Sequence, residues 1–567
     1  MALPPAIVVF LLLLPLVGLV DAVSNGYRVL DPQAVNIWRL QRLVEEYQIG
    51  RHFWDANLVA QTNNDPGMLP VVVEERWGDL KLGWFEQPLD HFDASNPHRF
   101  QQRYWVNTRH YSPREGAPII ILDGGAMDAM ETLSILDTGI ADILARETGG
   151  ISVLLEHRYY GASIPVANFT TDSLRWLTNE QAMADSTKFM STIRFEKFEE
   201  NLTALNTPWI YYGGSYAGAR AAHMKVLHPE LVYGAIGSSA ITHATLENWQ
   251  FHDVIRRSAE PRCAGYLEKA TEVIDNILDG GIGKRRFKGL FGLSDLKHDD
   301  DFVSLITFPL AHWESKGWID SAEADSFEQY CAQLVMPYGN MSKDEVNALP
   351  FGHPGRLVDV GGDLFLDFSI VNWANYIKHH PILKACLEFV GDIDECFTTY
   401  NDKKYQNTDL SETDRPWRFQ MCTQWGTFII APPDFGRPRI ISRAINLEYK
   451  MRMCQQSFSP GEHYQIPIIP NITKINLLGG YDIAADRLAF IDGEIDPWRP
   501  LTPHSSNAKT RSDTILRPFK VIPGAVHLWD LPGLPDITDE PLEVRKIHNE
   551  IVHFVKEWLK YWEPVKK

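Results

Sequence analysis

The chain has 567 residues, 44% hydrophobic and 22% charged, the balance of an ordinary globular protein rather than a disordered one. Its formal net charge is -19 and its only dense basic run is the short "KRRFK", which argues against a nucleic-acid partner, because phosphate binding needs clustered Lys and Arg. A chain of this length holds more than one domain, or one large core with a substantial insertion.

The amino terminus, "MALPPAIVVFLLLLPLVGLVDAVSNG", has an apolar stretch from Ala6 to Val20 and small residues at Val20 and Ala22, and it predicts a secretory signal over residues 1–22. Its leading residues carry no Lys or Arg, so an uncleaved anchor is the competing reading. No later stretch is apolar enough to span a bilayer. Residues 34–48 ("AVNIWRLQRLVEEYQ") have helical spacing, whereas "GWFEQPLDHF" and "FQQRYWVN" read as strands around a polar turn.

The pattern then changes. "APIIILDGG" and "GISVLLEHRYYG" are short, continuously apolar runs ending in glycine or polar residues, as strands buried on both faces of a parallel sheet do. Between them "AMETLSILDTGIADILARETG" is helical, and "NEQAMADSTKFMSTIRFE" predicts the next helix. The alternation continues through the strand "PWIYYGGS", the helix "YAGARAAHMKVLHP" and the strand "VYGAIGSSA". It predicts an α/β fold, a doubly wound sheet covered on both faces. From about Thr242 to Ile475 the rhythm is lost, and a mostly helical insertion is expected over residues 242–475. "DRLAFIDGEIDPW" and "FKVIPGAVHLWDL" restore it, and "VRKIHNEIVHFVKEWLKYW" predicts a closing amphipathic helix. Residues 23–241 and 476–567 therefore read as two parts of one sheet domain.

All six cysteines, Cys263, Cys331, Cys386, Cys396, Cys422 and Cys454, fall inside the expected insertion. Three disulfides suit an exported protein, with Cys386 and Cys396 as a suggested pair; the irregular spacing disfavours the alternative of bound zinc. Asn168, Asn201, Asn340 and Asn471 each open a glycosylation sequon, which is consistent with export.

"WIYYGGSYAGARAAH" places Ser215 between a strand and a helix, as in a nucleophile elbow. Gly213 permits the tight turn, although the usual pattern has glycine where this chain has Ala217. The competing reading makes Ser215 a helix N-cap. A serine nucleophile needs a base and an orienting acid, and Asp496 and His527 follow in the chain order of α/β-hydrolases, with Asp492 as a rival acid. For the oxyanion, one backbone N–H is expected from Tyr216 and a second from Gly125 or Ala126 in "LDGGAM". The alternatives are an Asp-Pro turn at Asp496, a core or surface histidine at 527 and an ordinary glycine turn at 124–125.

The motifs "EQPLDHF", "EHRYYGASIP", "LTNEQAMAD", "GGSYAGARAA", "DGEIDPW" and "IPGAVHLWDL", spread from residue 86 to 531, resemble the serine peptidases that include lysosomal prolyl carboxypeptidase, lysosomal dipeptidyl peptidase and the fungal acid prolyl endopeptidases, the fungal members most closely. The resemblance implies an α/β-hydrolase with a helical, disulfide-containing cap, and cleavage after proline. By position it implies Ser215 as nucleophile, His527 as general base and acid, and Asp496 rather than Asp492 as the group orienting His527. Trp498 resembles the wall of the proline pocket, and Tyr159, Tyr160 and Glu156 are candidate supports.

Two departures stand out. The chain has "DGGAMD" where many animal members have Asn-Glu-Gly, which weakens the case for aminopeptidase-type recognition, and hydrophobic Val526, Leu528 and Trp529 surround His527. The expectation is a secreted, alternatively vacuolar or lysosomal, serine peptidase acting on proline-containing peptides, with no metal or cofactor and no stable membrane association after signal removal. A secreted lipase or esterase, and an inactive hydrolase-like binding protein, are the alternatives.

Overall fold

The structure is a computed structural model that describes residues 32–44, 47, 80–195, 198–281, 283–319, 326–339, 342, 344 and 348–564. The expected signal over residues 1–22 and the sequon at Asn340 lie outside the described residues.

Eight strands form the main sheet: β1 Lys81–Pro88, β2 Arg99–Asn107, β3 Ile119–Asp123, β4 Ile151–Leu155, β5 Trp209–Gly214, β6 Gly234–Ser238, β7 Leu488–Gly493 and β8 Phe519–Ile522. Their order across the sheet is β1-β2-β4-β3-β5-β6-β7-β8. β1 and β2 pair antiparallel, β2 runs antiparallel to β4, and every later pairing is parallel. This is the doubly wound α/β-hydrolase arrangement.

The continuous apolar runs are strands whose residues are buried throughout, as in β3, β4 and β6. The period of two divides them between faces. Ile120, Leu122, Ile210 and Tyr212 meet α1 (Ile140–Thr148) and the closing helix on one side. Ile119, Ile121, Trp209 and Tyr211 meet α2 (Asn179–Thr192) and α3 (Tyr216–Leu227) on the other.

Between β6 and β7 the sheet is interrupted by largely helical chain with its own apolar core. Its longer helices include α4 (Pro261–Gly280), α5 (Phe368–His379) and α6 (Leu447–Ser457). α4 begins with proline in its first turn, the Glu260 carboxylate accepts from the Cys263 N–H, and Gly281 ends it at φ +75°, start and stop signals that match the local chemistry. Cys263 pairs with Cys331, Cys386 with Cys396 and Cys422 with Cys454. The first described helix, over residues 32–44, packs on this inserted chain through Ile37 and Leu40 and donates from Gln33 Nε2 to the Phe397 carbonyl at 2.7 Å. α7 (Leu542–Leu559) closes the sheet with Ile551, Phe554 and Trp558 on its apolar face.

Candidate active site

Ser215, Ala126, Asp496 and His527 all follow the carboxyl ends of strands, β5, β3, β7 and β8 respectively, where crevices of open α/β sheets lie. Ser215 and His527 line one cavity of about 740 Å³ together with Gly125, Ala126 and Trp498.

The turn at Ser215 is strained. Its φ of 56° and ψ of -121° lie in a region that a residue with a side chain rarely adopts. Ser215 occupies the N-cap position of α3, yet its side chain makes no capping hydrogen bond, which removes the capping explanation for the hydroxyl. The turn depends on glycine: a Cβ on Gly213 would lie 2.1 Å from the Ala217 carbonyl oxygen. A Cβ on Gly218 would lie 2.8 Å from the Ser238 carbonyl, so Gly218 as well as the small Ala217 lets helix and strand approach. Ser239 and Leu528, flanking the same centre, are also at positive φ, and the Leu528 N–H donates to Ser239 Oγ at 3.2 Å.

Asp496 is fully buried, and both of its oxygens are engaged. Oδ2 lies 2.8 Å from His527 Nδ1, and Oδ1 accepts from the Trp498 N–H at 2.8 Å. Asp492 belongs to a different pair, 2.7 Å from His504 Nδ1 and hydrogen-bonded by the Thr502 hydroxyl. Burial by itself disfavours the imidazolium of His527, but the Asp496 charge and hydrogen bond, with added pull from Glu314 and Asp492, outweigh it and push the pKa up to about 9.

The two amide alternatives after β3 separate. The Gly125 N–H donates to Asp123 Oδ1 at 3.0 Å, and Asp123 also accepts from Arg220 at 3.1 Å and from the Tyr211 hydroxyl at 2.7 Å. Gly125 stands at φ +65°, the left-handed turn that presents Ala126. Among the described residues the amides of Ala126 and Tyr216 have no hydrogen-bond acceptor.

The Tyr216 side chain sits in a directed polar chain. The Tyr160 hydroxyl donates to Gln420 Oε1, Gln420 Nε2 donates to the Tyr216 oxygen at 2.8 Å, and Tyr216 lies 3.1 Å from His157 Nε2. His157 Nδ1 lies 2.6 Å from the Arg158 carbonyl, so a neutral imidazole donates there and accepts from Tyr216. Burial, with the charge of Arg220, holds His157 well below its usual pKa, which fits that neutral form. Tyr160 thus belongs to the floor of the site, whereas the Tyr159 hydroxyl donates to the Ser173 carbonyl at 2.6 Å and Glu156 is locked to Arg103 at 2.6 Å.

Trp498 is only 6% exposed, with its ring centroid 6.4 Å from that of His527 and Phe251 packed edge-on at 5.1 Å. Its Nε1–H donates to Glu314 Oε1 at 2.9 Å. Sequence reasoning missed Glu314, Gln420 and Asp123. The first two come from inserted chain without periodicity, so nothing in their spacing marks them; Asp123 stood beside the glycines of "LDGGAM" as a visible signal. Asn168, Asn201 and Asn471 are exposed.

Among the described residues no helix is long and apolar enough to cross a membrane. The sequence is 36% identical over 497 residues to a probable extracellular serine carboxypeptidase of Arthroderma benhamiae, covering 83% of this chain and 67% of the relative. It is 29% identical to the serine protease vicPa of Bipolaris victoriae, covering 82% and 87% of the two chains. To the human lysosomal Pro-X carboxypeptidase it is 28% identical, covering 88% and 91%. The profile of the family described as Serine carboxypeptidase S28 matches residues 87–308 and 369–550, and the chain belongs to that family of serine peptidases.

Proposed function

We propose that this protein is an exported serine peptidase that cleaves peptides on the carboxyl side of proline through an acyl-enzyme on Ser215. The observation that carries the reading is the 2.8 Å contact of His527 with a fully buried Asp496, in the cavity that the strained Ser215 also lines. His527 Nε2 takes the hydroxyl proton as Ser215 Oγ attacks the carbonyl carbon of the scissile bond. The resulting oxyanion is received by the amides of Tyr216 and Ala126. His527 returns the proton to the departing amine, the C–N bond breaks, and the prolyl acyl group remains on Ser215. Water, deprotonated by His527, then releases the acid. Asp496 holds the ring and stabilises the imidazolium at each step.

Trp498 is the flat wall against which the proline ring packs. Residues 1–22 are read as the signal, 23–241 and 476–567 as the sheet domain and 242–475 as a cap over the cleft, with access favouring peptides and unfolded chains. Export is supported by three disulfides, by sequons at exposed Asn168, Asn201 and Asn471, and by the extracellular relative, with a lysosome-like compartment as the alternative destination.

The test uses proline-containing peptides blocked at either end, with products read by mass spectrometry. New ends after proline are expected, and Ser215→Ala is expected to lower turnover on the order of 10⁴-fold or more. Undiminished hydrolysis by that variant would overturn the mechanism; faster turnover of acyl esters lacking proline would overturn the substrate class.

A further inference from the structure

One inserted segment is fastened to both loops that carry the acid and the base. The Trp313 Nε1–H donates to the Ile495 carbonyl at 3.0 Å, next to Asp496. The Trp318 Nε1–H donates to the Trp529 carbonyl at 2.8 Å, and the Trp529 Nε1–H donates back to the Lys316 carbonyl at 2.7 Å, two residues beyond His527. With the bond from Trp498 to Glu314, indole N–H groups clamp residues 313–318 against the reacting centre from several directions.

The clamp carries Glu314 into the cavity wall beside Trp498 and His527. Oε1 accepts from Trp498, but Oε2 is buried and has no hydrogen-bond partner among the described residues. A carboxyl left half-partnered in a buried site is costly, and glutamine would anchor an indole equally well. The charge therefore needs a use other than packing. Burial raises the pKa of Glu314, and the His527 charge and the Trp498 bond offset this only in part, leaving it at about 7.

The charged groups around His527 are Asp496, Glu314 and Asp492. Asp492 is occupied with His504, and Asp496 also acts on Glu314. Lys316, the nearest cation in the segment, turns to Glu328 and to the face of Trp313, 4.2 Å from its centroid.

We propose that Glu314 is a positioning residue of the reacting centre: Oε1 fixes the Trp498 indole, and the carboxylate stabilises the imidazolium form of His527. The first action sets the wall that the substrate ring meets. The second favours the protonated base that develops as Ser215 attacks, and it moves the pH at which the free base becomes available. The proposal rests on the assignment of Ser215 and His527 above.

The experiment follows the rate at which a fluorophosphonate labels Ser215 against pH, alongside the KM for a proline peptide, in wild type, Glu314→Gln and Glu314→Ala. Removing the negative charge is expected to lower the midpoint of the acidic limb by about one pH unit in both variants. KM is expected to stay within about twofold in Glu314→Gln, whose amide oxygen still accepts from Trp498, and to rise about five- to tenfold in Glu314→Ala. An unmoved limb in Glu314→Gln overturns the charge assignment, and equal KM values in the two variants overturn the indole assignment. If Glu314→Gln cannot be purified folded, Glu314→Asp keeps the charge and is expected to hold the wild-type limb with a raised KM; a limb displaced by a unit there overturns the proposal. Failure of wild type to be labelled at Ser215 would instead remove the mechanism beneath it.

Discussion

The sheet and the inserted chain hold their shapes by different means. In the sheet, backbone meets backbone: at Ser215 the turn closes so tightly that there is no room for a methyl group on Gly213. Buried ion pairs such as Arg220–Asp123, at 3.1 Å, are enclosed by regular hydrogen-bonded strands and helices. Among its described residues the insertion pairs strands only two at a time, and it is held also by three disulfides and by an indole bond from the Trp373 Nε1–H to the Ile306 carbonyl at 3.0 Å. The sheet sets where Ser215 and His527 stand, while the insertion supplies groups such as Glu314 and Gln420 that line and underlie the same cavity.

The sharpest way to break this contrast is Gly213→Ala. Its Cβ would meet a backbone oxygen at 2.1 Å, which nothing nearby can avoid without opening the elbow. A loss of more than about 4 kcal/mol in stability, or failure to fold, is expected by denaturant unfolding. Wild-type stability would refute the steric account.

A loss of about 4 kcal/mol is expected when Cys263 and Cys331 are both replaced by serine, because that bridge spans a sequence separation of 68. Denaturant unfolding measures the loss, and fluorophosphonate labelling of the still-folded variant is expected to persist. Loss of labelling without unfolding would mean that the insertion also shapes the elbow.

The smallest effect concerns Asp301, which ties the first described helix to two segments of the insertion. It accepts from Thr399 N–H at 2.9 Å and the Tyr449 hydroxyl at 3.2 Å, and lies 3.4 Å from Gln33 Nε2 in the first described helix. Burial raises its pKa to about 6, against the lowering effect of the Thr399 bonds. Because the folded-state pKa lies above the unfolded one, its stabilisation is complete below about 3.8 and is lost as pH rises through about 6. Relative to Asp301→Asn, wild type is therefore expected to lose up to about 3 kcal/mol across that window, read from unfolding curves at a series of pH values. A pH-independent difference would show that Asp301 does not titrate there.

Legibility followed the same division. β3, β4, β5 and β6 were readable because strands buried on both faces must be continuously apolar, and α7 because one face repeats at helical spacing. Ser215 was legible from its place after such a strand, β5, whereas β8 before His527 is only partly buried and that histidine was read from its chain order after Ser215 and Asp496. Choosing Ala126 over Gly125 was not, since it turns on whether the Asp123 carboxylate occupies the Gly125 amide. Glu314 had no readable signature, because its neighbours Trp498 and His527 lie 184 and 213 positions away in the chain and meet it only after the insertion folds back.

By itself, then, the order of residues determined the alternation of strands and helices, the break after β6, the tight glycine turn and the chain order of alcohol, acid and imidazole. These are local or periodic properties, dictated by backbone sterics and by which faces must leave water. The tertiary structure alone decided which amides stay unengaged beside Ser215 among the described residues, how Cys263, Cys331, Cys422 and Cys454 pair and which inserted acid stands at the Trp498 wall. Each of those depends on distances between segments remote in sequence, and a hydrogen bond or an ion pair is specified by distance and angle, not by spacing along the chain.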